Sequence, residues 1–292
     1  MTHFIDIADE TPDTINEILH LAETAANDAP LAGASVGLIF EKPSNRTRFS
    51  FEVGIQRLGG QAVYIKGEDI QMGDREPISH VSRVMSRYFD LMVFRTTHHS
   101  RLMAFSEHAT VPVINGLSNH SHPCQALADA LTIKQHFGSF DGLWLTYIGD
   151  GNNVCQSLME MSVVCGFNMV VVCPPAYQPK SVPHGVHVTH DISDVIANTH
   201  VIYTDVWVSM GDEHETKERL DAFQPYQVNS ALMQQAREDC IFLHCLPANI
   251  GQEVTNDVFE SSASKVFDQA ENRMHAQNGL MRWIMKGRNN EK

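Results

Sequence analysis

Ala34-Ser35-Val36-Gly37-Leu38-Ile39-Phe40 is a continuous apolar run, and a short polar turn through Ser44-Asn45-Arg46 leads from it into a stretch of helical periodicity, Thr47 to Leu58. Strand, polar turn and helix start form an anion cradle. The first N–H groups of a helix lack internal partners and lie at the positive end of its dipole. Arg46 and Arg48 add guanidinium forks suited to tetrahedral oxyanions, so a phosphate-bearing ligand is expected near residue 46. The competing reading is a capped helix start with solvated arginines. Arg48 and Glu52 stand i,i+4 and can simply pair, which leaves Arg46, inside the turn, as the better ligand candidate.

Outward from this unit the same alternation repeats. Strand-like runs are expected at Ala34–Phe40, Gln61–Ile65, Leu91–Arg95 and Val111–Asn115, with helices at Thr47–Leu58, Pro77–Tyr88 and Ser100–Ala109. Thr11-Pro12-Asp13 reads as a capped helix start, Gly59-Gly60 as a helix stop, and a longer helix covers His122 to Phe137. A second set of strands runs through Leu143–Ile148, Asn168–Cys173, Val186–Thr189, Val201–Thr204 and Ile241–His244. Continuous apolar strands alternating with helices give parallel sheets covered on both faces, so the fold class is α/β with two doubly wound domains. The expected division is 1–137 plus 270–292 for one domain and 138–269 for the other, the last helix (Ala270 to Lys286) returning to the first sheet. Ligands bind beyond the carboxyl ends of strands in such sheets, and polar clusters from both halves occupy those ends. The site is therefore expected in the cleft between the domains.

Bulk properties narrow the function. A formal charge of -14 over 292 residues argues against nucleic acid, whose binding rests on phosphate neutralisation. No apolar run approaches the roughly 18 residues of a membrane span, and the N-terminus lacks the pattern of a secretory leader, so neither membrane nor export is expected. Six scattered cysteines without a C-x-x-C pair fit a reducing compartment, the cytoplasm.

Several residues carry two readings. Arg95 ends a buried run and needs an anion, either a structural carboxylate or a ligand. His120-Ser121-His122 lacks the further ligands of a zinc site, which favours His122 as a hydrogen-bond donor to a carbonyl oxygen; Cys124 reads as packing. Gly149-Asp150-Gly151-Asn152-Asn153-Val154 follows a strand like a dinucleotide turn. However, Val154 replaces the third glycine, and the next strand ends in Cys173-Pro174-Pro175 rather than an acid. Asn153 instead suits the polar head of a substrate. Asp205 lies either in a solvated loop or at a strand end poised to hold an ammonium, and Cys245 is either inert core or, at its strand end, chemical.

Taken together, Phe40 to Arg48, Asp69-Ile70-Gln71-Met72-Gly73, His122 to Asp129, Gly149 to Asn153, Asp205 to Gly211, His244-Cys245-Leu246-Pro247-Ala248 and Glu271 to Ala276 resemble the aspartate/ornithine carbamoyltransferase family nearly end to end. Ser209-Met210-Gly211 and the His-Cys-Leu-Pro run resemble its ornithine branch. The resemblance implies that Ser44, Asn45, Arg46 and Thr47, with Arg95 and Arg273, bind the phosphate of carbamoyl phosphate. Thr47, Arg95 and His122 would polarise the carbonyl, and Gln125 with the carbonyls near Cys245 and Leu246 would orient the carbamoyl NH2. Asn153, Asp205, Ser209 and Met210 would hold L-ornithine, with Cys245 and Asp205 orienting and deprotonating its amine. Gln71 would reach a neighbouring subunit's site, implying a homotrimer or a multiple of one. Neither a metal nor an organic cofactor is implied.

The residue chemistry agrees, because an amine attacks a carbonyl only as the free base and needs a proton acceptor. Three departures stand out: Asn45 where threonine is usual, Ala248-Asn249-Ile250-Gly251 where the family reads Ala-His-Arg-Gly, and a somewhat short chain. Asn45 keeps the backbone N–H and a side-chain donor. The rivals are a carbamoyltransferase for another amine or amino acid (putrescine, an N-acylornithine, aspartate) and a non-catalytic scaffold that keeps the fold.

Overall fold

Every strand found among the described residues is parallel to its neighbours, the inner ones as continuous buried apolar runs. The computed structural model describes residues 2–24, 28–209 and 213–290. By its contacts the chain divides into one unit of Met1–Ala128 with Glu271–Lys292 and a second of Asp129–Ala270. The sequence pattern places the first boundary at 137/138. The contact division falls inside a helix instead, because residues of that helix up to Ala128 pack with the first unit and Asp129 is bonded within the second.

In the first unit, strands β1 (Ser35–Phe40), β2 (Gln61–Lys66), β3 (Leu91–Arg95) and β4 (Val113–Leu117) form a sheet of order β2-β1-β3-β4. Helices α1 (Pro12–Glu23), α2 (Asn45–Arg57), α3 (Gly67–Ile70), α4 (Ile78–Met85) and α5 (His99–His108) lie between or before the strands. The fourth strand begins at Val113, not Val111. Pro112 has no N–H for the ladder, and only its carbonyl takes part, accepting from Met92 N at 3.0 Å. Ile39, Met92, Phe94, Leu102, Phe105 and Val113 are in the core of this unit. The Phe4 segment extends the sheet beyond β4 through Phe4 N to Val113 O (2.9 Å) and Asn115 N to Phe4 O (2.8 Å).

Helix α6 (Pro123–Phe137) carries the chain into the second unit, and α11 (Val266–Asn290) carries it back. Between them, β5 (Trp144–Ile148), β6 (Asn168–Val172), β7 (His187–Thr189), β8 (Val201–Thr204) and β9 (Ile241–His244) form a sheet of order β7-β6-β5-β8-β9. Its helices are α7 (Asn153–Cys165), α8 (Thr216–Phe223), α9 (Ser230–Met233) and α10 (Asn256–Phe259). Ile148, Val170, Val172, Ile202 and Phe242 pack with Val228, Leu232, Val254 and Val258 to form its core.

In each sheet the chain starts at an inner strand, winds to one edge and returns to the other side. The switch points fall between β1 and β3 and between β5 and β8. Turns leaving neighbouring strands diverge there, which leaves backbone and side chains beyond the strand ends open to a ligand. Ser44 to Thr47 and Arg95 occupy the first switch point; Gly149 to Asn153 and Asp205 occupy the second.

Candidate active site

The first half-site is built on the start of α2. Ser44, in extended conformation, caps the helix: its Oγ accepts from Thr47 N at 3.3 Å and lies 3.2 Å from Thr47 Oγ1, to which it donates. Thr47, buried, is the hub. Its hydroxyl also accepts from Arg95 Nη1 at 3.4 Å and from Arg273 Nη2 at 3.3 Å. Arg273, on α11, donates through Nη1 to Gln125 Oε1 at 2.7 Å. Asn45 and Arg46, the first two residues of the helix, are exposed. Arg48 pairs with Glu52 at 2.9 Å and lies 4.0 Å over the Tyr64 ring, so its charge is occupied on the helix flank.

Arg95 decides what this half-site binds. It follows Phe94, where the β3–β4 register shifts past Gly116, an irregularity that redirects a strand end. It is 4% exposed, and no carboxylate among the described residues pairs with it. Its Nε has no hydrogen-bond partner there either. Burial, then Arg273 and Arg46 beside it, lower its pKa from 12.5 to about 10. The structural ion pair weighed from sequence is therefore not found. A cation held among cations at a helix N-terminus is an arrangement suited to an anion.

His122 precedes α6 and is buried. Burial first, then Arg273 and Arg95, hold its pKa well below 6.5, so the ring is neutral at physiological pH. A neutral imidazole can donate to a carbonyl without adding charge. Cys124 donates to Asn115 O at 3.4 Å, and burial pushes its thiol up to about 12, which makes it a packing residue.

Gln71 is exposed and left-handed (φ 50°) at the end of α3, and no hydrogen bond among the described residues joins it to the Thr47 cluster. Its loop is nonetheless anchored near the cradle. Arg101 donates to the Met72 carbonyl and, at 2.7 Å, to Glu41 Oε1, while Glu41 Oε2 accepts from Thr96 at 2.5 Å.

The second half-site follows from register. Thr204 of β8 is aligned with Ile148 of β5 and His244 of β9, so the next residues, Asp205 and Cys245, emerge side by side. Cys245 Sγ donates to Asp205 Oδ1 at 3.0 Å, and Val206 N donates to the same oxygen at 2.8 Å. Asp205 is 5% exposed, so it does not lie in a solvated loop. Asn152 Nδ2 donates to Asp205 Oδ2 at 2.8 Å while Asn152 Oδ1 caps α7 through Val154 N and Cys155 N. Asn153, half-buried, is the first residue of α7; Ser209 is half-buried, and Met210 and Gly211 lie outside the described residues.

The dinucleotide-like turn is occupied otherwise. Asp150 is bound to Arg219 at 2.8 Å, and a Cβ on Gly151 would meet Pro179 N at 2.3 Å. Leu246 takes a left-handed φ of 59° and precedes a cis bond to Pro247. Asp205, His244 and Cys245 bring one donor atom each within 4.8 Å of one another, the only such group among the described residues with metal-ligand chemistry. Both ring nitrogens of His244 are engaged in hydrogen bonds, to Leu246 N and to Glu253, so the group reads as a hydrogen-bonded cluster.

Sequence reasoning passed over three residues of these clusters. Asn152 was detectable as the N-cap before α7. Glu253 and Gln269 carry no local signal, because they reach His244 from distant segments.

The two halves of the chain match the family models of the aspartate/ornithine carbamoyltransferases: residues 2–135 the carbamoyl-P binding domain, and residues 141–284 the Asp/Orn binding domain. A protein named ornithine carbamoyltransferase from Methanobrevibacter smithii is 44% identical over 96% of this chain and 97% of its own length. The solved ornithine carbamoyltransferase of Pyrococcus furiosus superposes with a TM-score of 0.93 at 41% identity, covering 98% of this chain and 97% of that one. A solved N-acetyl-L-ornithine transcarbamylase gives a TM-score of 0.85 at 29% identity over 97% of this chain and 99% of that one.

Proposed function

The chain belongs to the aspartate/ornithine carbamoyltransferase family, and we propose that it transfers the carbamoyl group of carbamoyl phosphate to the side-chain amine of L-ornithine, giving L-citrulline and phosphate. The observation that carries the proposal is the buried Arg95 beside Arg273 and Arg46 at the start of α2, with no carboxylate partner among the described residues. This is charge stabilisation arranged for a dianion that leaves as phosphate.

In this reading Ser44, Asn45, Arg46 and Thr47 hold the phosphoryl oxygens with Arg95 and Arg273. Thr47, Arg95 and the neutral His122 direct donors at the carbonyl oxygen, where negative charge develops as the amine adds. Gln125, whose Oε1 accepts from Arg273, orients the carbamoyl NH2 together with the carbonyls near Cys245 and Leu246. Ornithine is held by Asn153, Ser209 and Met210, with Asp205 facing its side-chain amine. The Cys245–Asp205 pair accepts the proton that the ammonium must lose before it can attack. Collapse of the tetrahedral adduct breaks the carbon–oxygen bond, and the departing phosphate takes the second proton from the attacking nitrogen as it leaves onto the arginines.

Turnover requires both half-sites to act on one pair of substrates. We further propose a trimer-based assembly in which the Gln71 loop serves a neighbouring site; the exposed, left-handed Gln71 on an anchored loop supports it. A cytoplasmic setting is in keeping with six cysteines that are all free thiols.

The deciding experiment is steady-state citrulline formation from carbamoyl phosphate and ornithine across pH, with putrescine, N-acetylornithine and aspartate in parallel. Ornithine is expected to be preferred, with kcat/KM rising as its amine deprotonates. A different ureido product in place of citrulline rejects the ornithine assignment, and no turnover with any amine favours the scaffold reading.

A further inference from the structure

We propose that Arg101, on α5, is a positioning residue that clamps the 67–76 loop to the end of β1 and so presents Gln71 to the neighbouring subunit's site. The role rests on the shared-site reading above, in which neither Arg101 nor Glu41 has a part.

The clamp follows from sheet order. Strand β1 lies between β2 and β3, and Phe40 is aligned with Lys66 on one side and with Arg95 on the other. The next residues, Glu41, Gly67 and Thr96, therefore emerge together at the carboxyl end of the sheet. A Cβ on Gly67 would lie 2.8 Å from Glu41 Cα, so the glycine permits this close approach. Glu41 N donates to Arg95 O at 2.9 Å, and Glu41 Oε2 accepts from Thr96 Oγ1 at 2.5 Å. The other carboxylate oxygen, Oε1, accepts from Arg101 Nε at 3.1 Å and from Nη2 at 2.7 Å. Nη2 also donates to the Met72 carbonyl. One guanidinium thus joins the exits of three neighbouring strands.

The loop gains its place from this tie. Gln71 and Gly73 are both left-handed, with φ of 50° and 86°. Gln71 O accepts from Asp74 N at 3.1 Å and from Arg75 N at 2.9 Å, and Gly73 N donates to Glu76 O at 2.8 Å. These bonds shape the turn from within but do not seat it on the sheet. Met72 does so twice over: its side chain, 3% exposed, packs in the core of the unit, and its carbonyl is held by Arg101. A left-handed residue with a Cβ persists only where its surroundings impose it, and Gln71 is directly joined to the residue held in this way.

Stability alone does not account for the pair. The Arg101 and Glu41 side chains keep 26% and 16% of their exposure, and an ion pair so open to water adds little to the fold. Nor does Arg101 suit a ligand anion, because Glu41 already occupies its Nε and Nη2. It answers the charge of a carboxylate placed three residues before the Ser44 cap, which would otherwise oppose an anion in the cradle. Reaching a carboxylate and a carbonyl in fixed directions takes the planar fork of arginine, which the single ammonium of lysine does not supply.

The test uses the full-length protein, with folding of Arg101→Met and Arg101→Lys checked by thermal melts. In amide-exchange mass spectrometry, peptides spanning residues 67–76 are expected to exchange at least about tenfold faster in both variants, with those of the β-strands unchanged. Unchanged exchange in the loop overturns the proposal, whatever the activity. Both variants are expected to lose at least about tenfold in kcat/KM for carbamoyl phosphate, since small misplacements of reacting groups cost up to about a hundredfold. Full activity in Arg101→Lys would reduce the role to charge alone and overturn it. Mixed trimers then show whose site the clamp serves. Copies carrying Arg95→Met and Arg101→Met under different tags are co-expressed and purified through both tags. Each such trimer holds one site with an unaltered cradle and an unaltered neighbouring loop, so activity is expected to rise to about a third of wild type. Arg95→Met paired with Gln71→Ala tests the shared site itself. Recovery in that pair and none in the Arg101 pair overturns the role of Arg101 while the shared site stands. No recovery in either pair refutes the shared site, and with it the presentation of Gln71 to a neighbour. A wild-type protein that makes no citrulline refutes the functional reading instead, and loop exchange by itself then decides whether Arg101 is the clamp.

Discussion

Replacing Arg95 with methionine is expected to make the protein more stable while removing its activity. The guanidinium is 4% exposed, and burial with Arg273 and Arg46 lowers its pKa from 12.5 to about 10. At about 1.4 kcal/mol per tenfold change, the charged form is disfavoured in the fold by roughly 3 kcal/mol. At pH 7.5 the group is charged in both folded and unfolded chains, so this cost weighs fully against folding. Methionine removes it and keeps most of the side-chain volume. The loss of the 3.4 Å hydrogen bond to Thr47 Oγ1 offsets about 1 kcal/mol. The net expectation is a gain of roughly 1–2 kcal/mol, or a melting temperature higher by about 2–5 °C.

Function moves the other way. Two charge-assisted bonds to the anion, each about 1.5–3 kcal/mol, predict a loss of roughly 10² to 10⁴ in kcat/KM. Urea titrations and melts with and without carbamoyl phosphate read both effects, the wild type gaining about 2.7 kcal/mol at a hundredfold excess over Kd and the variant almost nothing. An unliganded Arg95→Met protein less stable than wild type, or one stabilised as much by the ligand, would refute the argument that this cation awaits an anion.

Ser44→Ala removes the cap on Thr47 N and is expected to cost about 1 kcal/mol of stability in urea titrations, with a raised KM for carbamoyl phosphate. His122 has a folded pKa below its unfolded 6.5, so the unfolded chain binds the extra proton and the stability contributed is lost as pH falls below about 6.5. His122→Asn is therefore expected to gain on wild type by up to about 1.4 kcal/mol per pH unit between pH 6.5 and 5; parallel curves would contradict the buried neutral ring. Gly151→Ala places a Cβ 2.3 Å from Pro179 N, where backbone cannot yield, and is expected to cost more than about 2 kcal/mol by thermal melt. A loss under about 0.5 kcal/mol would show that the 178–179 segment moves freely.

Much of the first half-site was legible because its parts are local. A capped strand–turn–helix within about fifteen residues was read directly, although the helix begins at Asn45 rather than Thr47 and so takes Arg46 into its first turn, and Arg95 stood out as a charge ending an apolar run. In the second half-site Asp205 and Cys245 were marked by their places at strand ends. Asn152 was eclipsed by its neighbour Asn153 because a cap and a ligand share the same residue types. The strand at Val111 was misjudged by two residues because hydropathy does not register the missing N–H of Pro112.

By itself, then, the sequence determined that two parallel sheets form, where each strand lies to within a residue or two and which polar turns follow them, because periodicity and caps are properties of neighbouring residues. Strand order and register belong to the tertiary structure. They set Thr204 beside His244, so that Asp205 meets Cys245, and bring Arg273 from the far end of the chain to Thr47. Burial was decided there too, and burial is what makes the charge on Arg95 costly and keeps His122 neutral, since the energy of a charge depends on the water and charges around it rather than on its place in the chain.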